Sequence, residues 1–185
     1  MTCVRVVAGK SLKSVMESRT MKIAVFTEGT ILMHQSAVGH TRNEIVQQVI
    51  DKDLLVKDYA SYVSIKSATE KIQKWSNQGA EITYITSRKE QKEVDEIQNV
   101  LNHNHFPKGA LEYRKGNDEY KDIMERIMLD ILIEDDCESI GGESEMTYSH
   151  INSGLTGLKK EIKSIVVKEF SGIDHLSNDI AVLRD

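Results

Sequence analysis

Lys22-Ile23-Ala24-Val25-Phe26-Thr27-Glu28-Gly29-Thr30 is the stretch on which the reading of the fold turns. Its first five residues are apolar and β-prone, and Gly29 permits a sharp turn directly after them, so the spacing predicts a short buried strand ending in a polar loop. A methionine, Met21, precedes the strand. Residues 1–20 mix apolar and basic side chains without a clear period, so the fold is expected to start near Met21, with 1–20 as an N-terminal extension and 21–185 as a single domain.

Outward from that strand, a polar stretch from His34 to about Val63 carries Thr41-Arg42-Asn43-Glu44 ahead of Ile45, Val46, Val49 and Ile50. It predicts a small helical insertion, or cap, of one or two helices. Ser67-Ala68-Thr69-Glu70 has capping-box spacing, after which Ala68, Ile72 and Trp75 share a helical face and Gly79 supplies the stop. Ile82 to Thr86 alternates and is β-branched, which predicts a second strand. Val94, Ile97 and Leu101 mark a helix ending before Pro107. A short strand over Ala110 to Tyr113, a helix around Ile123 to Met128, a strand over Asp130 to Ile133 and a last one over Ile162 to Val167 complete the pattern. Strands alternating with helices imply a three-layer, Rossmann-like α/β fold with a parallel sheet covered on both faces. Ligands of such sheets sit at the carboxyl ends of the strands. The polar residues gather at those ends: Glu28 and Thr30, Thr86 to Arg88, and Glu134 to Asp136.

Composition narrows the function classes. The 185 residues are 39% hydrophobic and 29% charged, which suits a globular domain with a packed core. A net charge of −5 argues against broad nucleic-acid binding, because neutralising phosphates needs a surplus of Lys and Arg on one face. Cys3 and Cys137 are far apart and form neither a disulfide framework nor a cysteine zinc site. No apolar run approaches the roughly 20 residues that span a bilayer, and no signal peptide is evident, so a cytoplasmic location is expected. No motif bears on oligomeric state.

Four elements, taken in chain order, resemble the signature motifs of the haloacid dehalogenase (HAD) phosphatase superfamily. Phe26-Thr27-Glu28-Gly29-Thr30 stands where the family has D-x-D-G-T. Thr86-Ser87-Arg88 resembles the second motif as nucleotidase-like members carry it. Lys121 is the best match for the motif-three lysine, with Lys115 second, and Ile131-Leu132-Ile133-Glu134-Asp135-Asp136 resembles the acidic fourth motif. The likeness runs from Lys22 to about Leu176.

That resemblance implies an aspartate nucleophile attacking phosphorus, a second acid moving protons, a hydroxyl and a lysine holding phosphate, and an acidic pair binding Mg²⁺. Carried onto this chain, Glu28 becomes the acid/base group, Thr86, Ser87 and Lys121 the phosphate ligands, and Glu28, Glu134, Asp135 and Asp136 the metal ligands. Phe26 occupies the nucleophile position. A phenyl ring can neither attack phosphorus nor coordinate a cation, so magnesium binding is expected to be weakened. The implied protein is a catalytically impaired phosphohydrolase-like pseudoenzyme that binds a phosphorylated or acidic small molecule or a protein partner. The alternative is an active Mg²⁺-dependent phosphomonoesterase using a metal-activated water at Glu28 and Asp135. Thr27 is a poorer nucleophile, since an alcohol needs a positioned base.

Each of these residues also has an ordinary reading. The acidic run can be a solvated loop, Thr86 a strand-end cap, and Arg88 and Lys121 surface charges. His103, His105 and His175 read as structural histidines, Gly141-Gly142 as a loop, and Trp75 as core. The insertion carries no motif that names a ligand.

Overall fold

The structure, a computed structural model, describes residues 20–154 and 162–184. Residues 1–19, most of the expected N-terminal extension, lie outside the described residues. Five parallel strands form one sheet: β1 (Lys22–Phe26), β4 (Glu81–Ile85), β5 (Ala110–Glu112), β6 (Ile131–Asp135) and β7 (Lys163–Val167), in the order β5-β4-β1-β6-β7. A two-stranded antiparallel ribbon of β2 (Leu32–Met33) and β3 (Val63–Ser64) closes the base of the insertion.

Strand alternation builds two core layers. Ile23 and Val25 of β1 face one cluster with Ile82 and Tyr84. That cluster also takes Ala68, Ile72 and Trp75 of α2 (Ala68–Asn77), Ile97 and Leu101 of α3 (Gln91–His103), and Leu183 of α6 (Ile180–Arg184). Ala24 faces the other way, with Ile85 and Leu132, against Met124 of α4 (Tyr120–Ile127) and Ile151 of α5 (Thr147–Gly154). Burying both faces requires the near-continuous apolar runs that made the strands legible. This is the three-layer α/β architecture expected from the sequence.

Topology positions the site. From β1 the chain passes through α2 to β4 on one side, while β6 lies against the other side of β1 and is reached through α4 on the opposite face. Connections therefore diverge at β1, leaving a crevice at its carboxyl end.

One local detail departs from the sequence reading. Ser67 does not cap α2 with its side chain; its hydroxyl donates to Asp174 instead. The insertion holds one α-helix, α1 (Arg42–Ile50), with three short 3-10 turns around it. Thr41 and Glu44 form the capping box that starts α1.

Candidate functional site

Phe26 ends β1 half-buried, and its ring meets Tyr120 edge to face, centroids 5.0 Å apart at 78°. Tyr120 opens α4. The Arg114 guanidinium lies over the Tyr120 ring at 4.4 Å, and Arg114 Nε is buried without a hydrogen-bond partner among the described residues. The centre of the crevice is therefore aromatic and cationic.

Glu28 follows two residues after Phe26 and is held from three directions. Its Oε1 accepts from Thr86 Oγ1 at 2.5 Å, its Oε2 accepts from Thr27 Oγ1 at 2.7 Å, and Arg88 Nε stands 3.3 Å from Oε1. The Ser87 N–H also reaches Oε2, at 3.3 Å. Arg88 in turn lies over the Tyr59 ring at 4.6 Å and donates to the Tyr59 hydroxyl, tying the insertion to the sheet. An acid fixed by an ion pair and two hydroxyl donors has little freedom to shuttle a proton.

The acidic end of β6 is divided among separate tasks. Glu134 accepts from the backbone N–H groups of Thr147 at 2.8 Å and Tyr148 at 2.7 Å, so its carboxylate sits at the start of α5, where orphan donors and the helix dipole favour a negative charge. Asp136 accepts from the Glu169 N–H at 2.9 Å and from Lys168 Nζ at 2.7 Å. Burial opposes its ionisation, yet Lys168, the Glu169 N–H and Arg42 hold it below the usual carboxylate range. Asp135 is turned toward the β1 turn: it is 6% exposed, Oδ2 accepts from Thr30 Oγ1 at 2.8 Å and Oδ1 from the Cys137 N–H at 3.0 Å. Burial outweighs those bonds and pushes its pKa up to about 6. Glu169, at the end of β7, accepts from the hydroxyl and N–H of Ser139, and burial raises it as well.

Gly29 lets these acids approach the β1 turn. Its φ is +80°, and a Cβ there would lie 2.8 Å from Asp135 Oδ2 and 3.2 Å from Glu169 Cγ. Only glycine fits both the dihedral and the space.

A cavity of about 530 Å³ opens at the strand ends, lined by Phe26, Glu28, Ser87, Arg88, Lys121, Glu134 and Asp135 among the anticipated residues. Thr86 is fully buried beneath it, its hydroxyl donating to Glu28 and accepting from the Arg88 N–H. Lys121 reaches the rim, where Nζ pairs with Glu119 at 2.9 Å. The structure thus joins Glu28 with Thr86, Ser87 and Arg88, and does not join Lys121 or Asp136 to that group.

Magnesium demands a near-octahedral set of oxygens. Of its four anticipated ligands, Glu28 is ion-paired, Glu134 caps α5, Asp136 is paired with Lys168, and Asp135 accepts from Thr30 and the Cys137 N–H, while the β1 terminus offers a phenyl ring. Among the described residues no group of three or more His, Cys, Asp or Glu side chains converges to hold a metal ion. The donor set does not fit magnesium held as the family resemblance implies.

Several residues of the cavity escape a sequence reading. Arg114 and Tyr120 stand in a loop and a helix start without a motif. Lys52, Lys57, Tyr59, Tyr62 and His34 come from the insertion, and Glu169 follows β7. The one available signal was position: Glu169 sits just past a strand end, as Glu28 and Asp135 do.

No family model matches the sequence, and no curated protein matches it. Among solved structures, two of a class C acid phosphatase from Bacillus anthracis are similar, one of them with tungstate bound. Each has a TM-score of 0.51, at 13% and 14% identity, with 84% of this chain and 70% of that chain covered. A D,D-heptose 1,7-bisphosphate phosphatase from B. bronchiseptica, complexed with magnesium and phosphate, has a TM-score of 0.44 at 13% identity over 82% of this chain and 94% of its own. At that identity the likeness to the class C acid phosphatases shows the fold alone, and this chain has a HAD-like, Rossmann-like α/β fold.

Proposed function

We propose that the protein is a phosphohydrolase-like binding protein that accepts a phosphorylated or acidic small molecule at the strand ends and does not hydrolyse it through an aspartyl-phosphate. The carrying observation is the apolar end of β1: Phe26, packed on Tyr120, fills the position at which the resemblance implies a nucleophile. The charges of the cavity support an acidic ligand. Seven carboxylates and five cations line it, but most of the acids are already committed: Glu28 to Arg88 and Thr86, Glu134 to two N–H groups, Glu169 to Ser139, Glu119 to Lys121. Arg114, Lys52 and Lys57 line the cavity without an ion pair among the described residues. Cations lining a concave pocket, among them an Arg114 whose Nε is buried without a hydrogen-bond partner among the described residues, favour an anion that supplies the missing acceptor.

Calorimetric titration of the protein with inorganic phosphate at low ionic strength tests this reading. Binding is expected, weakened about tenfold in Arg114→Met, the loss typical of one charge-assisted hydrogen bond. Absence of binding contradicts it.

A second reading, an active phosphohydrolase of unusual mechanism, draws on Asp135. A buried carboxyl with a pKa of about 6 at the cavity wall exchanges protons near neutral pH.

A further inference from the structure

Leu54 and Leu55 stand outside everything described so far. They open a 3-10 turn of the insertion, Leu54–Lys57, which holds three apolar residues and buries none of them. Leu54 is 82% exposed and Leu55 57%. Of the nine large apolar side chains exposed among the described residues, these two, Val38 and Ile50 fall within one stretch of 18 residues.

The backbone places the four on neighbouring elements. Gln48 of α1 donates through Nε2 to the Ser36 carbonyl at 3.5 Å, and the Asp53 N–H donates to the Gln48 carbonyl at 3.1 Å, so the last turn of α1 is tied to the chain before it and after it. The 3-10 turn Gln35–Ala37, which Val38 ends, packs against the turn that Leu54 opens. Ile50 closes α1 four residues before Leu54. The insertion therefore lines the cavity with Val49 and Val56 and leaves a second apolar face in water. An exposed apolar cluster rimmed by charged residues marks a surface that another molecule covers.

Charge identifies that molecule. The stretch Lys52-Asp53-Leu54-Leu55-Val56-Lys57-Asp58 is its own complement about Leu55: reversed end to end, each base meets an acid and each apolar residue an apolar one. A two-fold axis makes that reversal, because in an isologous contact residue i of one copy meets residue j of the other and j meets i. Lys52, Lys57 and Asp58 are exposed and Asp53 half-buried, and none of the four has an ion pair among the described residues. Together they carry no net charge, in a chain whose total is −5. Such a face selects neither a basic nor an acidic partner, and it lets two acidic chains meet without opposing like charges.

We infer that the protein pairs with a second copy of itself through this face. Leu54 and Leu55 meet their counterparts near the axis, and Lys52 and Lys57 of each copy face the partner's Asp58 and the partner's Asp53. The face is small beside the roughly 800 Å² that each side gives to a standard stable interface, so the pairing is weak and concentration-dependent. Lys52 and Lys57 also line the cavity. Where the anion-binding reading above holds, a bound anion and the partner's acids draw on the same ammonium groups, and each weakens the other.

Sedimentation velocity of the full chain between about 10 µM and about 1 mM, at low ionic strength, is expected to show monomer passing to dimer. Leu54→Glu, at a side chain already in water, should keep the far-UV circular dichroism and weaken the dimer about tenfold or more. Asp58→Lys sets like charges across the axis and should weaken it too; adding Lys52→Asp restores the opposite pair and should recover the dimer, which it does only if the partner is a copy carrying the same changes. In the wild-type protein the methyl resonances of Leu54 and Leu55 should move with protein concentration while those of the buried Leu101 and Leu132 stay still, a readout that needs no variant. A monomer at about 1 mM, a dimer that Leu54→Glu leaves intact, or a double variant that recovers nothing overturns the inference. So does a monomer whose Leu54 and Leu55 resonances move only on addition of phosphatidylcholine vesicles, which assigns the face to a membrane surface. Saturating inorganic phosphate should weaken the dimer relative to chloride of equal ionic strength; a dimer unmoved by phosphate that calorimetry shows to bind overturns the lysine pairing across the axis. If phosphate does not bind, the anion-binding reading falls, and the dimer stands or falls on the sedimentation result.

Discussion

Phe26 and Tyr120 close the end of the central strand as an edge-to-face pair, ring centroids 5.0 Å apart. The pair replaces the chemistry that the resemblance implies at that point with packing, and ties β1 to the start of α4. Cutting the ring back in Phe26→Ala removes a half-buried aromatic contact. A loss of about 1–3 kcal/mol is expected in urea unfolding. The same variant should gain no phosphatase activity. Unchanged stability would mean that the ring contributes nothing to the fold.

Glu134 gives a sharper contrast, because its two possible roles respond differently to chelation. As the acceptor for the Thr147 and Tyr148 N–H groups, it supports α5 in the absence of any metal. Glu134→Ala leaves two donors without their charged acceptor, so stability measured in EDTA should fall by about 2–4 kcal/mol. If the substitution has no effect in EDTA and lowers stability only with Mg²⁺ present, the carboxylate holds a metal instead.

Gly29→Ala tests the close approach at the β1 turn. At a φ of +80°, with Asp135 Oδ2 2.8 Å from the added Cβ, the variant must shift the turn or displace the acid. A loss of about 2 kcal/mol or more is expected from thermal or urea unfolding. A neutral substitution would show that the turn is not tightly packed against Asp135 and Glu169.

Asp135 makes a pH prediction with a definite sign. Its pKa rises from an ordinary 3.8 to about 6 on folding, so the folded state holds the proton more tightly than the unfolded chain does. Its contribution is therefore greatest when protonated, falls as pH rises from about 4 to about 6, and is constant above that. The full change is about 3 kcal/mol. Glu169 shifts in the same direction and Asp136 in the opposite one, so the comparison is with Asp135→Asn across the series, in EDTA. The variant should be close to wild type near pH 4 and more stable near pH 7. A stability difference that does not change between those pH values contradicts the burial argument.

Much of this fold is legible in the chain because its strands are buried on both faces and its helices on one. Ile23 to Val25 and Ile131 to Ile133 are unbroken apolar runs, Ile82 to Ile85 is interrupted only by Thr83, and Ile72 with Trp75 or Ile97 with Leu101 recur at helical spacing. The strand ends followed, and with them Glu28, Thr86 and Asp135. What the sequence hides is direction and partnership. Glu134 and Asp136 flank Asp135, but strand alternation and the chain's exit send their carboxylates to α5 and to Lys168. Arg88 reads as a surface charge, yet it sits between Glu28 and Tyr59, a residue 29 positions earlier in a segment without a period. β2 and β3 are two residues each, too short to carry an alternation. Neither α5 nor α6 was anticipated; both are short helices. His34 is distinguished by the absence of a partner, which no local pattern records.

Phosphate release tests the central claim most directly. Incubated with Mg²⁺ and a broad panel of phosphate monoesters, the purified protein is predicted to release no phosphate above a protein-free control, because Phe26 offers no attacking group and the surrounding carboxylates are committed elsewhere. Robust release that disappears in Asp135→Ala would contradict the account and establish an active phosphohydrolase.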